Sequence, residues 1–152
     1  METIKKDILK SFVPRAVILP LNENSKQALA NEKIIPIRNL PFKIGRESRM
    51  GESERGIFVK LRIMTNDSKP NNDLYLIDNN SSLEISKEHC EISFENNNYI
   101  LKDRGSTNGT TINGVSFAGK NKIEEKILKD GDTIQIGSVK SEFKFQFLVF
   151  DI

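Results

Sequence analysis

The sequence has one cysteine, one histidine and no apolar run near the roughly 18 residues needed to cross a bilayer. The lone cysteine, Cys90, excludes an internal disulfide framework. Without a Cys/His cluster we expect no metal site, and we expect no cofactor. The lysines within residues 1–6 are not followed by an apolar segment, so no secretory signal is predicted. These absences favour a soluble, cytoplasmic protein that contacts no membrane.

A strong net charge is also lacking. The 23 basic and 21 acidic residues leave a net charge of +2, too small to draw the whole chain to nucleic acid. No nucleophile backed by a base is recognisable, and no P-loop pattern opens a helix. The sequence therefore predicts a binding protein rather than an enzyme, and its 152 residues fit one domain with a sizeable core.

What the sequence does contain is a succession of short segments in which apolar and polar residues alternate. The clearest are residues 57–63, 90–94 and 143–149. Asn113-Gly114, between two further strand-like segments, is a strong hairpin signal. About ten or eleven such segments, separated by closely spaced turns, predict an all-β sandwich.

Four segments depart from the alternating pattern. Apolar residues recur every four positions within residues 2–12, so residues 1–14 are interpreted as an N-terminal extension with a short amphipathic helix. Residues 23–31 predict one or two helical turns begun by an asparagine cap. Residues 47–56 and 119–126 are polar and charged, and both are predicted to be loops.

Two predicted turns are crowded with hydroxyl, amide and glycine residues. They are residues 86–89, with the sequence SKEH, and residues 105–110, with the sequence GSTNGT. Upstream, Gly45-Arg46 ends another strand-like segment and supplies a cation. Arginine matches phosphate oxygens bidentately, hydroxyl and amide groups fill the remaining lone pairs, and glycine lets the backbone approach a ligand. Together these residue types predict a phosphate-binding site.

In their order along the chain, these motifs resemble those of the forkhead-associated (FHA) domain: Gly45-Arg46, Ser86-x-x-His89, residues 106–110 (STNGT), Asn113-Gly114 and residues 131–137 (GDTIQIG). The resemblance covers residues 33–150. It implies a β-sandwich of about eleven strands whose loops at one end bind phosphothreonine peptides. It also implies an FHA domain over residues 15–152, with short helical insertions and a longer insertion at residues 47–73.

The resemblance implies a ligand-binding role for five residues. Arg46 and Ser86 would contact the phosphate, and Lys87 would add a phosphate or peptide contact. Thr107 would help to form the phosphothreonine pocket. Asn108 would hold the peptide backbone through its side-chain amide.

Three further residues would support the site. Gly45 and His89 match positions that are architectural in the family, with the histidine hydrogen-bonding between loops, and Gly109 belongs to the same loop as the pocket residues. A catalytic or metal-binding role for His89 is disfavoured, because it is the only histidine and lacks companion ligands.

Two charged residues bear on specificity. Glu84 stands two positions before Ser86, where the resemblance implies a side chain that faces the third residue after the phosphothreonine. A carboxylate at this position predicts that Asp or Glu is disfavoured in the peptide and that Lys or Arg is tolerated or mildly preferred. The alternative is that Glu84 only solvates its loop. For Arg104 two interpretations stay open, a phosphate contact at the rim of the site and a solvated surface charge.

The predicted function is phosphorylation-dependent protein–protein interaction in signalling. The partner would carry a phosphothreonine made by a Ser/Thr kinase, and no nucleic acid or membrane would be bound. The alternative is a phosphate-independent assembly module that uses the sandwich face or residues 47–73. The sequence leaves open the partner, the kinase, the flanking residues and the oligomeric state.

Overall fold

The structure is a computed structural model, which describes residues 1–48, 50–53, 56–59, 71–79 and 83–150. Within these residues the chain forms two helices and thirteen β-strands. The helices are α1 (Glu2–Phe12) and α2 (Glu23–Ala28). The strands are β1 (Ala16–Pro20), β2 (Ile35–Ile37), β3 (Phe42–Arg46), β4 (Met50–Ser53), β5 (Gly56–Val59), β6 (Leu74–Leu76), β7 (Cys90–Glu95), β8 (Asn98–Asp103), β9 (Thr110–Ile112), β10 (Val115–Phe117), β11 (Glu125–Leu128), β12 (Thr133–Ile136) and β13 (Lys144–Val149).

Eleven of these strands form two sheets. One sheet has the order β10-β9-β12-β13-β1-β2, the other has the order β11-β8-β7-β3-β6, and β4 and β5 form a separate hairpin. The pairings are antiparallel, except that β3 lies parallel to β6 with Gly45 opposite Tyr75. The predicted all-β sandwich is confirmed.

The core consists of apolar side chains from both sheets. Along β13 the burial alternates, so that Phe145 and Phe147 point inward. The Phe147 ring packs against the edge of Tyr99, with 5.2 Å between the ring centroids. Burying each such side chain contributes about 1.5–3 kcal/mol, which gives the loops at the sandwich ends a rigid base. Other core members are Ile18, Ile37, Ile44, Leu76, Ile85, Ile92, Leu101, Leu128, Ile134 and Ile136.

Helix α2 is fixed to the sandwich by a buried serine. The Oδ1 of Asn22 caps the helix by accepting a hydrogen bond from the backbone N–H of Ser25 at 2.7 Å. The Ser25 hydroxyl is fully buried; it donates to the carbonyl of Glu142 and accepts from the N–H of Lys144. The helical turns predicted within residues 23–31 are therefore present and docked.

Helix α1 has no buried residue. Its last carbonyl, that of Phe12, accepts a hydrogen bond from the Nη1 of Arg38 at 3.1 Å. None of the helices in the described part of the chain has both the length and the apolar character needed to span a membrane.

Two loop predictions are wrong. Within residues 47–56, Met50–Ser53 forms β4 and pairs with β5. Within residues 119–126, β11 begins at Glu125 and pairs with β8 at the edge of its sheet. At this edge Glu125, Lys126 and Ile127 are all exposed, so no alternation of apolar and polar residues marks the strand. The strand predicted at residues 57–63 lies partly outside the described residues.

Candidate functional site

Two loops meet the end of β3 at one end of the sandwich. The N–H of Arg46, the last residue of β3, donates to the carbonyl of Ser86 at 2.9 Å. The N–H of Thr107, which precedes β9, donates to the Oγ of Ser86 at 3.1 Å. The structure thus brings together the arginine, the serine and the threonine that the sequence places in one site.

Gly45 allows this close approach. A Cβ atom at this position would overlap the carbonyl oxygen of Lys87 and the side-chain amide of Asn72. Both are held in place, because the Nδ2 of Asn72 donates to that carbonyl at 2.8 Å. Any larger residue would push the loop that carries Ser86 away from β3.

The guanidinium of Arg46 is incompletely paired. Among the described residues its Nε is buried and has no hydrogen-bond partner. A buried donor without a partner costs about 1–3 kcal/mol, so such atoms are rare in folded proteins. The guanidinium carries a permanent positive charge, which makes an anionic acceptor the natural partner.

The loop 105–109 is shaped by a buried carboxylate that the sequence analysis missed. The Oδ1 of Asp103 accepts from the N–H groups of Gly105 and Ser106, and its Oδ2 accepts from the hydroxyls of Ser106 and Thr110 at 2.6 and 2.7 Å. Asp103, Ser106 and Thr110 are all fully buried. The available signal was an aspartate that ends a strand two residues before a glycine, because an aspartate often accepts from the backbone N–H two residues on, in an Asx turn. Gly109 closes this loop with φ +84° and donates its N–H to the Ser106 hydroxyl.

Thr107 and Asn108 lie at the surface of this loop. Thr107 is exposed and Asn108 is half-buried. The Nδ2 of Asn108 donates to the carbonyls of Leu83 and Glu84, both at 3.1 Å. The amide nitrogen is therefore engaged by the protein's own backbone, which the sequence did not indicate.

The His89 side chain links the loop that carries Ser86 to the loop 105–109 by hydrogen bonds at its two ring nitrogens. Its Nδ1 accepts from the N–H of Ser86 at 3.0 Å, so the neutral ring carries its proton on Nε2, which donates to the carbonyl of Gly109 at 2.7 Å. The ring is fully buried, and this burial lowers its pKa below the usual value for histidine. Asp103, whose Oδ2 lies 4.0 Å from Nε2, opposes that shift. Both ring nitrogens are thus occupied by backbone groups.

Arg104 is engaged within the protein. Its Nη1 donates to the Oδ1 of Asn72 at 2.6 Å and its Nη2 donates to the carbonyl of Asn71 at 3.2 Å. Glu88 lies 3.6 Å from Nη2. Asn72 is buried and links Arg104 to the carbonyl of Lys87, so it braces the loop that carries Ser86. The Lys87 side chain itself is exposed beside the site.

Glu84 is also engaged within the protein. Its Oε1 accepts from the N–H and the hydroxyl of Ser138 at 2.9 and 3.1 Å. A Cβ on Gly137 would overlap the Glu84 side chain, so the two segments touch closely. The Glu84 carboxylate, which the sequence predicts to face the peptide, therefore also fixes the turn after β12.

Metal binding and thiol chemistry have little support among the described residues. They contain no cluster of three His, Cys, Asp or Glu residues that could hold a metal ion. Burial raises the pKa of the Cys90 thiol far above its usual range, so the sulfur stays protonated.

Comparison with known proteins identifies one family. A family model for the FHA domain matches residues 42–137, which include the end of β3 and both loops. The glycogen accumulation regulator GarA of Mycobacterium tuberculosis is 32% identical over 74 residues, covering 49% of this chain and 40% of that protein. The human angiogenic factor with G patch and FHA domains 1 is 39% identical over 62 residues, covering 39% of this chain and 9% of its own length.

The fold also matches solved structures. The structure of Mycobacterium tuberculosis EmbR in complex with a low-affinity phosphopeptide superposes with a TM-score of 0.54 and 18% identity, covering 94% of this chain and 28% of EmbR. The superposition shows that the two share the sandwich fold, and at this identity it shows the fold alone. The matched stretches span less than half the length of GarA and of the human relative, so whole-protein activities are not transferred by similarity.

Proposed function

The chain belongs to the FHA domain family, and we propose that it is a phosphothreonine-binding module without catalytic activity. Its partner is a protein whose threonine has been phosphorylated by a Ser/Thr kinase, in signalling within the cytoplasm. We propose that the FHA domain covers residues 15–152, with residues 1–14 as an extension and residues 47–73 as an insertion. The absence of buried residues in α1 supports that first boundary.

The observation that carries this proposal is the unpaired side-chain nitrogen of Arg46. Its backbone N–H binds the loop that carries Ser86, and its guanidinium has a buried Nε with no partner among the described residues. Because Nε is buried, the guanidinium would shift to let a phosphate oxygen supply the missing acceptor, and a second oxygen would accept from another guanidinium N–H in the bidentate geometry that arginine favours.

The neighbouring groups complete the anion site. The Oγ of Ser86 already accepts from the N–H of Thr107, so its own hydroxyl proton is available for donation to the phosphate. Lys87 adds an exposed positive charge next to Ser86. Asn108 and Thr107 would line the peptide beside the phosphate. The EmbR structure, which shares this fold, contains a bound phosphopeptide, which supports the same class of ligand here.

Arg104 and Glu84 take supporting positions in this proposal. Arg104 braces the Ser86 loop through Asn72 and Glu88 rather than contacting the phosphate. Glu84 holds the turn at Ser138, and its charge still disfavours an acidic peptide residue close by.

The test is an oriented peptide library with a fixed phosphothreonine, screened in parallel with the same library carrying unmodified threonine. We expect retention of the phosphorylated library alone, with affinities near the micromolar range, about −8 kcal/mol. Equal retention of both libraries would contradict the proposal and would favour the phosphate-independent assembly module.

A further inference from the structure

Strand β11 lies at the end of its sheet, away from the phosphate site. It pairs with β8 on one side, and in the described part of the chain no strand pairs with it on the other. All residues from 121 to 127 are exposed, and Ile127 is 54% exposed. A free strand edge is a row of backbone donors and acceptors to which another strand can bind.

The register of β11 shows which of its backbone groups point outward. The N–H of Asp103 donates to the carbonyl of Glu124 at 2.8 Å, which makes these residues a hydrogen-bonded pair. Such pairs alternate along an antiparallel ladder, so the backbone groups of Lys126 also point to β8. The N–H and C=O groups of Glu125 and Ile127 therefore point away from β8, toward solvent.

The other outer strands of the two large sheets are less suited to pairing. Among the described strands, β2, β6 and β10 have three residues each, whereas β11 has four. Strand β2 also contains Pro36, which has no N–H to donate. At the end of β6 the carbonyl of Leu76 already accepts from the N–H of Glu47.

The side chains of β11 divide between the two faces of the sheet. Leu128 is buried, and Lys126 shares its core side because alternate residues of a strand lie on one face. Glu125 and Ile127 are on the outer side, where Ile127 is opposite Ile100 of β8. A second copy that extends the sheet through a twofold axis keeps core side with core side. Directly opposite residues must then come from the same face.

Charge decides between the central registers that this rule allows. Pairing Glu125 with Glu125 of the second copy brings two carboxylates together, and pairing Lys126 with Lys126 brings two ammonium groups together; like charges directly opposite destabilise a strand pair. Pairing Ile127 with Ile127 instead places each Glu125 opposite the exposed Lys129 of the second copy. Lys126 is then opposite Leu128. This register therefore joins opposite charges and apolar side chains.

The same register matches the outward backbone groups. The two Ile127 residues would exchange N–H···O=C bonds, and each Glu125 N–H would donate to the carbonyl of Lys129 in the other copy. That carbonyl accepts from the N–H of Asp132 at 3.0 Å and has a second lone pair to offer. On the outer face, Ile127 and Ile100 of both copies would form one apolar row.

We infer that this protein forms a twofold dimer in which β11 pairs with β11 of a second copy, with Ile127 opposite Ile127. The two five-stranded sheets become one continuous sheet. Asp103 ends β8 beside the loop 105–109, so antiparallel pairing directs the two ends that carry this loop in opposite directions. The contact does not involve phosphate binding. Because it joins only four strand residues of each copy, it is of the small, transient class.

The first test is sedimentation velocity of the 152-residue chain from about 10 μM to about 1 mM, the range expected of a small interface. We expect the mass to rise with concentration from that of one chain to that of two. Amide hydrogen exchange at Glu125 and Ile127 should slow over the same range, because these N–H groups become bonded in the dimer.

Ile127→Pro tests the backbone contact. The Ile127 N–H points to solvent, so this variant removes no bond between β11 and β8, and proline is tolerated in an edge strand in this orientation. Each dimer loses two hydrogen bonds, so association should weaken at least about tenfold. Val115→Pro is not comparable, because Val115 follows the hairpin turn; Val115→Thr, at a 69% exposed position on β10, is the control for Ile127→Thr. Ile127→Thr should weaken association about threefold and Val115→Thr should leave it unchanged.

Charge reversal tests the register. Glu125→Lys and Lys129→Glu each place like charges opposite one another across the twofold axis, and each should weaken association about fivefold. The double variant restores opposite charges and should associate within about twofold of wild type. A double variant as weak as the single ones would overturn the pairing. Thermal unfolding of each variant checks that the monomer remains folded.

The remaining outcomes are equally decisive. The mass of one chain at every concentration, or wild-type association of Ile127→Pro, would overturn the dimer. Masses beyond two chains would do the same, because a twofold contact closes after two copies. If the chain stays monomeric and the Ile127 amide is protected only after a phosphorylated partner protein is added, the edge binds that partner and the dimer is overturned. Each of these results leaves the phosphate-binding proposal unchanged.

Discussion

The hydroxyl oxygen of Ser86 accepts a hydrogen bond from the backbone N–H of Thr107 at 3.1 Å, although the two residues lie in separate loops. The same serine accepts through its carbonyl from the N–H of Arg46. Three chain segments are thereby joined at one serine, through its hydroxyl and its carbonyl. This arrangement makes the effect of changing each neighbour predictable.

Replacing Arg46 with alanine should abolish phosphopeptide binding and leave the domain folded. A charge-assisted bidentate contact is worth about 1.5–3 kcal/mol, so affinity should fall at least about tenfold. Folding should be little affected, because the Nε of Arg46 has no partner among the described residues. Isothermal titration with one phosphothreonine peptide measures the affinity, and urea unfolding measures the stability.

Arg38→Ala is the matched control for Arg46. Arg38 is exposed and donates to the carbonyl of Phe12 at the end of α1, so its loss should leave peptide affinity unchanged. Equal affinity of wild type and Arg46→Ala would remove Arg46 from the binding site.

Phosphothreonine should be preferred to phosphoserine in otherwise identical peptides. The two phosphates carry the same charge, so the preference must come from the threonine methyl group, which we place beside Asn108. Burying one methyl contributes about 0.8 kcal/mol, or several-fold in affinity, and the stiffer threonine side chain adds to this. Competition binding with the matched pair measures the ratio, and equal affinities would contradict a methyl pocket.

Replacing Asp103 with alanine should destabilise the domain by at least about 3 kcal/mol, because two backbone N–H groups and two buried hydroxyls lose their acceptor. Asp130→Ala is the control: its Oδ1 accepts from the N–H of Val149 at an exposed position, and its loss should cost about 1 kcal/mol or less. Urea unfolding measures both. Similar losses in the two variants would show that the Asp103 network contributes little.

The stability of the domain should fall as the pH is lowered through about 6.5, the usual pKa of a histidine in an unfolded chain. Burial lowers the pKa of His89 in the folded protein, so the unfolded chain takes up a proton that the folded chain does not. His89→Gln should be less stable at pH 7 but should show a shallower decline between pH 7 and pH 5.5. Because His89 is the only histidine, parallel declines in the two proteins would contradict this assignment.

Signals confined to a few neighbouring residues were sufficient to predict much of the fold. Asn113-Gly114 turns between β9 and β10 with φ values of +49° and +83°, as an Asn-Gly hairpin requires. The alternation in β7 and β13 likewise records which side chains face the core. By contrast, three of the four residues of β11 are exposed at a sheet edge, and there the pairing with β8 rather than the sequence pattern determines the strand.

The candidate site likewise combines residues that local sequence signals predict with contacts that depend on distant partners. Arg46, Ser86 and Thr107 are recognisable from residue type and spacing, and the structure brings them together. The bracing by Asn72 depends on a partner 32 residues away, Arg104, and no local pattern encodes that distance. Glu84 could be recognised as a charge near the site, but its link to Ser138 arises only when the two sheets are assembled.

The anchoring of residues 105–109 by Asp103 and His89 has a kinetic consequence. Because these contacts are buried within the folded domain, they order the loop without a ligand. Under the proposed function, the loss of conformational freedom on association would then fall mainly on the peptide. Peptides of different sequence should associate at similar rates, and the lifetime of each complex should determine which partner is retained.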